Sequence, residues 1–315
     1  PQRAAEFPLE LLQDPSYVAE LTTDEPRVRT SMQSLVTARE QLRVDALCRL
    51  PGFFSTAGLE ALQAEVRDTL LPRLRPMASL TTTDEDDRLR PASPDVTKLR
   101  TKRFLPGRAF PRTSLLRRLF ESDEMEALVS ALMGQRMYRS IDLDRALNLS
   151  VYTSGGTFGA HFDENAAVVS LPLLTSSLGG EFQWAPYCRA DKDSGVDGVA
   201  ADGGVEQREL VKRIFGGRGS DASDVLRSHR VVAGELLLFN GNRSLHRVCT
   251  VGAEWKHGTP PGFAAARVMP GQMRVAALFS YSRQPDFWWS HVRQHNEELD
   301  PGYATDVLPE YLHGG

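Results

Sequence analysis

Residues 155–174 read Gly155-Gly156-Thr157-Phe158-Gly159-Ala160-His161-Phe162-Asp163-Glu164-Asn165-Ala166-Ala167-Val168-Val169-Ser170-Leu171-Pro172-Leu173-Leu174. The paired glycines force a turn, and the apolar run Val168–Leu174 has the length and composition of a buried strand. Just upstream, Asn148, Ser150 and Tyr152 alternate with Leu147, Leu149 and Val151, so one strand carries a polar face and an apolar face. Further strands follow. Gly179-Gly180-Glu181-Phe182-Gln183-Trp184 starts one, and Glu235–Phe239 is another that ends in the turn Asn240-Gly241-Asn242. Arg247–Val251 comes next, and Arg274–Tyr281 is the last. Many short strands behind a helical N-terminus point to a mainly β sandwich or barrel with flanking α-helices.

Residues 1–140 read mostly as helix. One helical stretch covers Ser31–Leu50. After Pro51-Gly52, Ser55 caps a second, with Leu59, Leu62, Val66 and Leu70 on one stripe that ends at Pro72. Residues 76–112 read as a long loop holding at most one strand. Asp123, with Glu126 three positions on, opens a helix that stops at Gly134. Two polar insertions interrupt the β region, at 190–230 and 252–271. The first carries a short helical piece near Gln207–Ile214 and reads as a surface insertion or a lid. The chain therefore divides into a helical extension packed on the core (1–135), a β core (136–290) and a C-terminal tail (291–315). Trp288 and Trp289 pack against the sheet or a partner. The N-terminal helices either buttress the sheet or form a homodimer contact.

The 315 residues carry a net charge of -4, and 32 of the 37 basic side chains are arginine. The acidic balance and the scatter of the arginines argue against a basic nucleic-acid-binding face. At 41% hydrophobic residues the chain can bury a sizeable core. Cys48, Cys188 and Cys249 lie far apart with no CxxC spacing, which argues against a disulfide framework or a thiolate zinc site. A reducing, cytoplasmic location is expected. No run of about 18 apolar residues offers a membrane span, and Pro1–Phe7 lacks a signal-peptide pattern.

The chemistry centres on His161 and Asp163. In extended chain, residues i and i+2 face the same way, so one imidazole and one carboxylate can meet one metal ion. His246, next to a buried strand, supplies a third donor. Two histidines and one carboxylate on one face of an octahedron leave three open positions, the arrangement of non-haem Fe(II) oxygenases. The bland alternative is a surface histidine beside a turn aspartate. Zinc hydrolysis and a cupin-like binding protein without catalysis are the other readings. His229, His257, His291, His295 and His313 lie outside the strand pattern and read as surface residues.

Taken together, the motifs resemble the 2-oxoglutarate/Fe(II)-dependent oxygenase family over residues 136–285. The resemblance runs through Asn148–Tyr152, Gly155-Gly156, His161-Phe162-Asp163, Gly179–Phe182, Gly234–Phe239, His246-Arg247-Val248 and Arg274. It implies a double-stranded β-helix, a jelly roll of the cupin kind, that uses Fe(II), 2-oxoglutarate and O2. The chain looks closest to a bacterial subgroup containing free-amino-acid hydroxylases and halogenases. His161–Asn165, Gly179–Phe182, Pro186–Arg189 and Ser244–Val248 carry that likeness. The halogenases place a small residue where this chain has Asp163, so the resemblance implies oxygenation. The expected reaction is hydroxylation of a small polar metabolite, an amino acid or derivative, with release of succinate and CO2. Desaturation and ring formation use the same chemistry.

The resemblance also suggests roles. His161, Asp163 and His246 hold the metal. Arg274 binds the 5-carboxylate of 2-oxoglutarate through a bidentate guanidinium, with Tyr152 and Asn148 beside it. The interval from His246 to Arg274 is wider than the family's, which leaves Arg267 and Arg247 as competitors. Glu164, Asn165, Trp184 and Arg189 are candidate substrate contacts.

Overall fold

The computed structural model describes residues 8, 11–12, 26–74, 102–189, 214, 225–254 and 267–285. The insertion helix near Gln207, the pair Trp288-Trp289, the tail 291–315 and the histidines at 257, 291, 295 and 313 lie outside these residues. Helix α1 spans Pro26–Asp45, and β1, Leu47–Leu50, follows it. Helix α2, Thr56–Glu65, continues through tighter and looser turns to Arg73. Then come β2 (Arg103–Pro106), α3 (Leu115–Glu121), α4 (Asp123–Met133), β3 (Tyr138–Arg139) and α5 (Leu143–Ala146). The remaining strands are β4 (Leu147–Thr153), β5 (Phe158–His161), β6 (Ala167–Leu174), β7 (Phe182–Ala185), β8 (Arg227–His229), β9 (Leu236–Phe239) and β10 (Leu245–Val248). A small ribbon of β11 (Ala253–Glu254) and β12 (Arg267–Val268) precedes β13 (Met273–Ser282).

Two antiparallel sheets face each other, as in a double-stranded β-helix. The larger runs β1-β9-β6-β13-β4-β2, with β3 on the end of β13, and the smaller runs β5-β10-β7-β8. The period-2 alternation of the larger sheet sorts its side chains between two cores. Leu149, Val151, Leu171, Leu238, Val275, Ala277 and Phe279 point away from the smaller sheet. They join Leu42, Leu62, Leu116, Met125 and Leu128 of the helices in one buried cluster. Tyr152, Val168, Leu237 and Phe239 point inward and meet Phe182, Trp184 and Val248 of the smaller sheet. The mainly β architecture with N-terminal helices is the one expected.

Several local expectations need correction. The helix expected to run to Leu50 ends at Asp45. Ala46 then takes φ +57°, and Leu47–Leu50 becomes an edge strand paired with β9, Leu47 opposite Phe239. Arg103–Pro106 likewise pairs with β4. The segment before residue 136 thus contributes a strand to each edge of the larger sheet besides its helices.

The α4 cap also sits one residue earlier than expected. Ser122 Oγ accepts the Met125 N–H, while Glu126 turns away to receive Arg136 and the Arg139 N–H. Gly134 ends α4 at φ +70°, where the absence of a Cβ removes the left-handed penalty. Ser55 caps α2 as read, accepting the Gly58 N–H at 3.0 Å. In the 190–230 insertion, Arg227–His229 extends the smaller sheet. His229 is no loose surface group, since its Nε2 lies 2.8 Å from Oε1 of the buried Glu235 and its Nδ1 3.2 Å from Arg49.

Candidate metal centre

His161 ends β5 and His246 lies in β10, directly opposite each other across the ladder. Their rings are 4.2 Å apart. The Asp163 carboxylate sits between them, Oδ1 at 3.4 Å from His161 Nε2 and Oδ2 at 3.3 Å from His246 Nε2. Among the described residues, these three form the one group able to offer a metal three donor atoms within 4.8 Å of one another.

The rest of each imidazole is already committed. His161 Nδ1 lies 2.8 Å from the Gly159 carbonyl, and His246 Nδ1 lies 2.9 Å from the Ser244 carbonyl. A carbonyl accepts only, so each Nδ1 donates to its carbonyl and each Nε2 faces the site, where a bound metal would take its lone pair. Burial and the neighbouring His246 pull His161 down to about 4 against the pull of Asp163, so it is neutral at pH 7. Burial opposes ionisation of Asp163, but the two imidazoles outweigh it and hold the carboxyl well below the usual range. Two imidazole nitrogens and one carboxylate oxygen are the donor set for a divalent first-row metal with open positions.

The neighbourhood of Asp163 is equally constrained. Its N–H donates to the Gly241 carbonyl at 3.0 Å. A Cβ on Gly241 would lie 2.3 Å from Asp163 Oδ2 and 2.8 Å from its Cβ, so only glycine leaves room for the carboxylate. The sequence marks Gly241 as a turn residue, and no local signal reveals this second duty. Phe158, Phe182 and Phe239 pack on the two imidazoles at 4.1–5.6 Å between ring centres, with His246 buried and His161 partly open.

Arg274 opens the inward face of β13, with Tyr152 of β4 directly opposite. Its guanidinium carbon is 5.4 Å from the Tyr152 ring centre. Arg274 is only 4% exposed, and its Nε has no hydrogen-bond partner among the described residues. Burial weakens its hold on the proton, opposed by Tyr152, Cys249 and Glu181. Burial also pushes Tyr152 up to about 12. An arginine sealed in a protein with an unmet N–H is costly unless an anion joins it. The competitor Arg247 faces the other way, and its Nε donates to Gln183 Oε1 at 2.8 Å. The Arg267 side chain lies outside the described residues.

The remaining candidates separate by position. Asn148 sits at the start of β4, where its Oδ1 accepts from Ser150 Oγ at 3.1 Å. Asn165 is buried and its amide donates to the Ala167 carbonyl, bracing the chain between Asp163 and β6. Trp184 pairs across the ladder with His246, lies in the inter-sheet core and donates its indole N–H to the Asp45 carbonyl at 2.7 Å. Glu164 is half-buried beside Asp163. Arg189 is half-buried with its guanidinium 3.8 Å from the Phe162 ring centre, which brings a cation next to the His161–Asp163 segment. Lys102 does the same on the other flank, 3.9 Å from the Phe158 ring centre, and no local sequence pattern marks it.

No family model matches the sequence, and a search of curated proteins finds no match. Solved structures do resemble the fold. The non-heme alpha ketoglutarate dependent carbocyclase SnoK from nogalamycin biosynthesis shares 13% identity at a TM-score of 0.49, over 82% of this chain and 89% of that one. An oxidoreductase of the 2OG-Fe(II) oxygenase family from Burkholderia pseudomallei shares 14% at 0.46, over 80% and 92%. A Pseudomonas putida prolyl-4-hydroxylase shares 14% at 0.44, over 79% and 99%. At such identities and scores the likeness is one of overall shape, and the site is read from its own geometry. Among the described residues, no helix is long and apolar enough to cross a membrane.

Proposed function

We propose that the protein is an Fe(II)- and 2-oxoglutarate-dependent oxygenase that hydroxylates a small polar metabolite, an amino acid or derivative. The observation that carries this reading is the pairing of two features inside one sandwich. A His161–Asp163–His246 donor set stands in the same protein interior as a buried guanidinium, Arg274, that has an unmet N–H. A metal with open positions and an internal counter-ion for a carboxylate are the two things this co-substrate needs.

When bound, Fe(II) with 2-oxoglutarate and O2 supplies the oxidising power, and succinate and CO2 leave. The chain's own residues do the positioning. The Gly159 and Ser244 carbonyls hold both Nε2 lone pairs toward the centre. Asp163 contributes the hard oxygen and the negative charge that offsets the metal's. Arg274 and Tyr152 receive the distal carboxylate of the co-substrate. Phe158, Phe182 and Phe239 limit water at the imidazoles, which strengthens each electrostatic contact. Arg189, stacked beside the metal segment, faces the carboxylate of the substrate.

The test is succinate release from 2-oxoglutarate by anaerobically iron-loaded protein after admission of oxygen. His161→Ala, Asp163→Ala and His246→Ala should each abolish it. Absence of Fe(II) binding in an anaerobic titration would overturn the reading. Metal binding without succinate release under any metabolite of a broad library would mark a binding protein of the same shape.

A further inference from the structure

A second site lies behind the Asn240–Ser244 turn, with Val36, Leu42, Leu132 and Met133 forming apolar walls beside its polar groups. A cleft of about 570 Å³ opens between α1, the end of α4 and the Asn240–Ser244 turn, and none of His161, Asp163 or His246 lines it. Four arginines from three parts of the chain do: Arg39 and Arg43 of α1, Arg243 of the turn, and Arg283 just past β13. Glu40 is the single acid among the described lining residues, and it is held by Arg43 at 2.6 Å. Arg243 lies 4.6 Å over the Tyr187 ring, which fixes one wall. Asn240 also lines the cleft. It is 5% exposed, and its Oδ1 is buried without a hydrogen-bond partner among the described residues.

These features specify a ligand. One bidentate arginine satisfies one carboxylate, whereas several arginines lining one cleft, even with Arg43 partly engaged by Glu40, suit a tetrahedral dianion with three terminal oxygens. The unmet Asn240 carbonyl oxygen calls for a donor, which a hydroxyl provides. We propose that this cleft binds a hydroxylated organic phosphate, a polyol or sugar phosphate, at a site separate from the metal centre. The α1 arginines and Arg243 grip the phosphate, Asn240 accepts from a ligand hydroxyl, and the cleft has room for both parts.

The experiment is calorimetric titration of metal-free protein with ribose 5-phosphate and with inorganic phosphate at constant ionic strength. Using metal-free protein separates this site from the oxygenase reading, so either can fail alone. Saturable binding of both is expected, tighter for ribose 5-phosphate. Arg39→Gln with Arg43→Gln, on the exposed surface of α1 and so harmless to folding, should weaken both by about tenfold or more, the loss of a charge-assisted contact or two. Asn240→Ala should narrow the advantage of ribose 5-phosphate, and Arg274→Met should leave both ligands bound. The proposal is overturned by a lack of saturable binding, by full binding in the Arg39/Arg43 double variant, or by its loss in Arg274→Met. Equal affinity for the two ligands would overturn the hydroxyl contact.

Discussion

Gly241→Ala tests the centre without touching a ligand to the metal. The added Cβ would stand 2.3 Å from Asp163 Oδ2, 2.8 Å from its Cβ and 2.9 Å from its Cγ. Ordinary carbon contacts begin near about 3.5 Å, so one side must retreat by about 1 Å. Gly241 cannot easily give way, because its carbonyl holds the Asp163 N–H at 3.0 Å and the Asn240 N–H is bonded to the Ala46 carbonyl at 2.9 Å. The carboxylate is the part that moves. A displacement of about 1 Å in a reacting constellation costs on the order of 100-fold in rate, or about 2.7 kcal/mol. The assay pairs anaerobic Fe(II) titration with succinate release, and a thermal melt shows that the variant is folded. Both affinity and rate should fall. A folded Gly241→Ala with wild-type affinity and wild-type rate would refute the argument that this glycine makes room for the metal carboxylate.

Other outcomes follow from single residues. Arg274→Met should raise the melting temperature of ligand-free protein, because it removes a buried cation with an unmet N–H. The same change should abolish stabilisation by 2-oxoglutarate, both read in one thermal-shift series. Burial and the neighbouring Asp144 push Asp142 up to about 6 from 3.8. Its proton is therefore held more tightly in the folded state, and stability falls as pH rises from about 4 to about 6, then levels off. Asp142→Asn keeps the cap on α5 and should gain up to about 3 kcal/mol at pH 8 with a flatter profile, as measured by urea unfolding across pH. Ser122→Ala should cost about 1 kcal/mol, and Asp123→Ala less, since the Ser122 hydroxyl is the cap.

The parts legible in the sequence are those whose pattern is local and strong. Arg274–Tyr281 and Leu147–Tyr152 alternate cleanly because each lies on a sheet with two different cores. The alternation puts Tyr152 on the polar face of its strand, but only the pairing of β13 with β4 brings Arg274 opposite it. The HxD spacing and His246 come together because β5 and β10 are neighbours. The features not legible in the sequence depend on distant partners. Leu47–Leu50 has no strand signal of its own beyond apolar character, and its state is decided by pairing with β9. Gly241 is indispensable because of Asp163, far away in sequence. Arg247 and Arg274 look alike as residues, yet the pleat sends one toward Gln183 and the other toward Tyr152.

The end of α1 has a role that reaches the centre. Its last carbonyls are not left to water. Leu42 accepts from the Tyr187 hydroxyl, Asp45 from the Trp184 indole, and Ala46, one residue on, from the Asn240 N–H. All three donors sit on β7 or on the turns that frame His246. The helix terminus thus works as a template on which the loops of the candidate centre are laid. The minimal folding unit accordingly begins well before the β core. A fragment starting at residue 136 would keep His161, Asp163 and His246 yet lack the edge strand and the carbonyls that set their loops. Such contacts between distant parts of the chain also make closure of the site a late event in folding.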